Sequence, residues 1–124
     1  MAEKIGTVPP QNLEAEASLL GAILIDADAI VRIADTVNAE DFYDERHSHI
    51  YQAIKKLYEK HSPIDVLTLS NRLKEDGLLD TVGGSAYLTD LTNYVPTAAH
   101  VEHYAEIVSQ KAIRRRLIKA SQDM

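Results

Sequence analysis

The chain has 124 residues, enough for one domain that buries roughly two-thirds of the surface its unfolded form exposes. Nineteen acidic against thirteen basic side chains leave a net charge of −6, which argues against a domain devoted to gripping a phosphate backbone. There is no cysteine, so disulfides, thiolate metal sites and cysteine nucleophiles are excluded, and no apolar run approaches membrane-spanning length.

Residues 1–10 carry two prolines and no periodicity, which predicts a flexible arm. Its opening, MAEKIGTVPPQN, lacks the apolar core of a signal peptide, so a cytoplasmic location is expected. Asn12 then suits a helix cap, with Glu14 in the first turn where the helix dipole favours an anion. Leu13, Ala17, Leu20 and Leu24 follow on one helical face. Gly21 costs stability inside that helix, so another backbone is expected to come close to it.

A second, short helix starts near Asp28, with Ile30, Ile33, Ala34 and Val37 as its face. Phe42, the one phenylalanine, is an expected core anchor within NAEDFYDERH. The acidic pairs Glu40-Asp41 and Asp44-Glu45 read as solvated helix starts. Ile50, Ile54 and Leu57 form the stripe of a third helix, which KHSPID ends. DVLTLS alternates briefly like a strand, but Val66, Leu69 and Leu73 continue at helical spacing. Asp65 serves as cap and Gly77 as stop. TVGGS is a loop, and Leu88, Leu91 and Val95 mark a further short helix before Pro96.

The last element runs from about Thr97 to the end of the chain, roughly 40 Å if unbroken. Val101, Tyr104, Ala105, Val108 and Ala112 share one side of it, and the same side turns basic at Arg115 and Lys119. A second apolar stripe, Ile113, Leu117, Ala120 and Met124, begins about a third of a turn away. The first half of this helix is expected to dock on the body. The second half projects, and its stripe is a candidate helix–helix interface.

Lys111, Arg114, Arg115, Arg116 and Lys119 form the one basic patch. Three adjacent arginines on a helix point in three directions, so a single phosphate-reading face is not expected. A solvated or salt-bridged surface, an acidic protein partner and nucleic-acid contact remain open readings. The last would make the chain a standalone helical DNA-binding module using Arg114–Arg116. His100, His103 and Glu106 stand at ligand spacing along one helix side, but no further ligand is assignable to them. Asp26 and Asp28 fail the calcium-loop pattern, because Val31 and Val37 occupy the positions of its Gly and Glu. No phosphate loop, nucleophile elbow or catalytic triad appears in the spacing. No catalytic, cofactor or metal site is therefore expected in these residues.

Several long stretches carry a resemblance. PPQNLEAEASLLGAIL, DFYDERHSHIYQAI, PIDVLTLSNRLKEDGLLDTVGGSAYLTDLTNYVPTAAHVEHYAEIV and QKAIRRRLI resemble, in order, the N-terminal domain of bacterial DnaB-type replicative helicases. The likeness spans nearly all of residues 8–120. It implies an all-α fold, a small helical bundle (11–96) followed by the first helix (97–124) of a helical hairpin. It also implies that hairpins of neighbouring subunits pair, that the intact protein is hexameric, and that this collar receives the C-terminal helicase-binding region of primase and takes part in loader interactions. ATP, Mg and single-stranded DNA would belong to a separate ATPase domain, which makes this chain an expected N-terminal fragment without helicase activity of its own.

Overall fold

The computed structural model describes residues 8–122. Residues 1–7 of the expected arm and Met124 of the expected stripe lie outside them. Six α-helices make up the fold among the described residues: α1 (Leu13–Ile25), α2 (Ala29–Ile33), α3 (Glu45–Glu59), α4 (Val66–Glu75), α5 (Gly84–Leu91) and α6 (Val101–Gln122). A single 3-10 turn, Ala39–Asp41, precedes α3. The all-α expectation holds, and DVLTLS is helical as read.

α1 is the central element. The side chain of Asn12 accepts a hydrogen bond from the Ala15 N–H at 2.9 Å and starts it. A one-sided helix was expected, but every residue from Ala15 to Leu24 is buried, because α2, α3, α5 and α6 all pack around it. Leu13, placed on the core face by its spacing, is 42% exposed and lies at the rim instead. Gly21 meets the expected close approach: a Cβ there would stand 2.1 Å from the carbonyl oxygen of Leu91, at the end of α5.

The other helices take their places around this rod. Phe42 is buried and stacks obliquely on Tyr51, their ring centres 5.0 Å apart. Ile50, Ile54 and Leu57 of α3 and Leu69 and Leu73 of α4 complete the core. Asp65 caps α4 by accepting from the Thr68 N–H at 2.8 Å, and Gly77 ends that segment at φ +72°, where a side chain would be strained. α2 and α5 are shorter than their apolar spacings suggested. Val37 and Val95 are buried from the turns that follow them.

α6 begins at Val101, four residues after the expected Thr97. The intervening residues make a turn in which Thr97 Oγ1 accepts from the Ala99 N–H and the Ala98 carbonyl accepts from Arg32. Val101, Ala105, Val108 and Ala112 then pack into the core beside α1, with Tyr104 half-buried.

Candidate interaction surface

After Ala112 no residue of α6 is buried. Ile113 is 48% exposed, Leu117 65% and Ile118 45%, and Ala120 is exposed as well. The helix therefore docks with its first half and carries an apolar stripe outward on its second. Helical rotation of about 100° per residue places Ile113, Leu117 and Ala120 on one flank, and Ile118 across from them. Ile118 had not been assigned to that stripe. The remainder of the stripe, Met124, is outside the described residues.

The basic patch is divided by the structure rather than gathered. Arg115 turns toward the body, where its guanidinium donates to the Pro10 carbonyl at 2.7 Å and to the Asp41 carbonyl at 2.6 Å. It also lies 5.5 Å from the centre of the Tyr43 ring. Arg116 donates to the carboxylate of Asp41, whose other oxygen accepts from the Asn38 N–H at 2.9 Å. Asp41 is only 4% exposed, so its reading as a solvated helix start is corrected: it is a buried anion held between a backbone N–H and an arginine. Arg114 and Lys119 are exposed and Lys111 is half-buried. The five cations thus do not present one face.

A second buried polar group was not foreseen. Glu16, in the first turn of α1, is 2% exposed and accepts from the backbone N–H groups of Tyr43 at 2.7 Å and Asp44 at 3.3 Å. His47, equally buried, meets it through Nδ1 at 2.8 Å and meets the Tyr87 hydroxyl through Nε2 at 2.6 Å. A carboxylate can only accept, so Nδ1 donates to Glu16, and Nε2 shares a hydrogen bond with the Tyr87 hydroxyl. These bonds tie α1, α3 and α5 together. Burial raises the Tyr87 hydroxyl pKa above its ordinary value, against the Arg46 guanidinium 4.5 Å from the ring centre, so this hydroxyl remains a donor near neutrality.

Among the described residues no three His, Asp or Glu side chains stand together as metal ligands, so His100, His103 and Glu106, all exposed, do not assemble a site. Nor is any helix there long and apolar enough to cross a membrane. The distal half of α6 has the character of an interface, with Ile113, Leu117 and Ile118 exposed along it.

Comparison with known proteins agrees over nearly the whole chain. Residues 8–110 match the family described as DnaB-like helicase N terminal domain. Replicative DNA helicase DnaC of Bacillus subtilis (strain 168) is 44% identical over 114 residues, which is 92% of this chain and 25% of that protein. Replicative DNA helicase DnaB of Treponema pallidum (strain Nichols) is 44% identical over 94% of this chain and 26% of its own length. The crystal structure of the N-terminal domain of DnaB helicase from Mycobacterium tuberculosis superposes with a TM-score of 0.91 at 42% identity, covering 94% of this chain and 81% of that one. The chain spans about a quarter of the length of these two helicases.

Proposed function

Because the chain belongs to the family of DnaB-like helicase N-terminal domains, we propose that it acts as the collar of a replicative DNA helicase, assembling subunits and docking primase. In this reading the distal half of α6 pairs with a second helix, either the returning arm of its own hairpin or the same helix of a neighbouring copy. The intact protein would be a hexamer at the replication fork in the bacterial cytoplasm. ATP hydrolysis with magnesium and travel along single-stranded DNA would then belong to the rest of such a protein, while the collar would also take part in contact with a loader. The sequence carries no Gly-x-x-x-x-Gly-Lys-Ser/Thr pattern, which supports placing the nucleotide elsewhere. Primase docking follows from family membership and names no face here.

The observation that carries the assembly reading is the exposed stripe of Ile113, Leu117 and Ala120, continuing a helix whose first half buries one face against the body. An apolar flank of this kind is stabilised by burial against a partner. Substituting Leu117→Asp places a charge in the contact and removes its apolar area, together costing on the order of several kcal/mol of pairing. Leu117 is mostly exposed, so helix content should hardly change. Sedimentation equilibrium on both proteins over a wide concentration range tests this. A mass that falls in the variant supports pairing between copies, and identical masses at matched concentrations sink pairing between copies through this stripe.

The DNA-binding module is less well supported, because Arg115 and Arg116 are already engaged by Pro10 and Asp41. Saturable, salt-sensitive binding of a single-stranded oligonucleotide by this chain would restore it.

A further inference from the structure

The distal half of α6 has an exposed apolar stripe and no buried apolar residue after Ala112. Ten residues of helix beyond a body are marginal in water unless something fixes them. The contacts that reach back from this segment to the body are those of Arg115 and Arg116, one turn past Ala112. They end on Asp41 and Pro10, which are 74 and 105 residues away from Arg115 and 75 from Arg116 in the case of Asp41. Asp41 is well placed for such an anchor. It is buried, its own position is fixed by the Asn38 N–H, and it offers both its carboxylate and its carbonyl to the arginines.

We infer that Asp41, Arg115 and Arg116 form a clamp that holds the distal half of α6 against the body and so aims its apolar stripe at the partner helix. These are positioning residues. The inference deepens the assembly reading and rests on it for the second half of its claim. It also assigns part of the basic patch: two of its arginines serve the orientation of the surface, while Arg114 faces solvent. Pro10 adds a consequence, since the clamp also holds the end of the N-terminal segment beside α6.

Hydrogen exchange on the 124-residue chain reads the clamp without requiring assembly. Arg115→Met and Arg116→Met keep most of the alkyl stem while removing the guanidinium, and Asp41→Asn removes the charge with little change of shape. Amide protection over residues 113–122 should fall at least tenfold in the double arginine variant, while that of residues 101–112 should stay within about twofold. Arg116→Lys should recover part of the loss. Arg114→Met, which removes the same charge one residue away, should leave protection unchanged. Asp41→Asn combined with Arg116→Met should lose no more than the larger single effect, as coupled partners do.

Unchanged protection over 113–122 in the arginine variants overturns the clamp. A loss equal to that of Arg114→Met does the same, because it would report net charge alone. The aiming role is read separately, from the dissociation constant of self-association, which should rise about tenfold or more without the clamp. If protection falls and that constant does not move, the clamp exists but does not aim the surface, and the inference fails in that part. If the parent chain never self-associates, the assembly reading of this chain fails, and the exchange data still decide the clamp.

Discussion

At the scale of single residues, Asp44 shows how one side chain sets an element's start. Its carboxylate accepts from the Arg46 N–H at 2.9 Å, capping α3, and also receives the Arg46 guanidinium at 2.9 Å. That side-chain hydrogen bond from Arg46 holds the Asp44 carboxyl below the usual carboxylate range, outweighing the burial that would raise it. A depressed folded value stabilises the native chain above the ordinary carboxylate value of about 4, and the contribution disappears as pH falls through the lowered one. Replacing Asp44 with Ala should therefore cost about 1 kcal/mol at neutral pH, the usual worth of such a cap. Urea unfolding should show that difference shrinking in acid, and a difference that grows below pH 4 would contradict the sign. The capping role was legible, because an acid before an apolar-periodic run is a local signal. The bond from Glu16 to His47 was not, since 31 residues separate them and no spacing links them. Asp41 misled for the same reason: its burial depends on Arg116, at the other end of the chain.

At the scale of elements, the helices were readable wherever their apolar period was one-sided, as in α3 and α4. α1 was readable as a helix but not as the central one. Leu19 and Ile23, with the small residues Ala15, Ser18, Gly21 and Ala22, cover its other faces, so the stripe of Leu13, Ala17, Leu20 and Leu24 hid a helix buried all round. Gly21 was the clue to that environment. An alanine there gains about 1 kcal/mol of helix propensity. Its Cβ, however, would sit 2.1 Å from the Leu91 carbonyl oxygen, and backbone at a helix end cannot rotate away as a side chain can. Overpacking of this kind costs typically 1–3 kcal/mol, occasionally more, so the clash outweighs the propensity. Gly21→Ala should lower the urea midpoint, with a net loss of up to about 2 kcal/mol. A midpoint that rises would mean that α1 and α5 separate readily.

At the scale of the whole molecule, the change of face along α6 was legible because each half keeps its own period, and the two periods are out of phase. Which cations turn inward was not, because that depends on where the 3-10 turn places Asp41. The resulting surface pairs an apolar flank with arginines already held by the body. Association through it should therefore be driven by burial, and only weakly screened by salt. Association also stabilises the fold by mass action, by about 2.7 kcal/mol at a concentration a hundredfold above the dissociation constant. The melting temperature of this chain should accordingly rise with protein concentration, and the rise should survive an increase from low to high salt. In Leu117→Asp the melting temperature should stay flat over the same range. A rise that vanishes in salt would point instead to charge-driven association through Lys111, Arg114 and Lys119. A flat melting temperature in the parent chain as well would mean that its apolar stripe finds no partner among copies of itself.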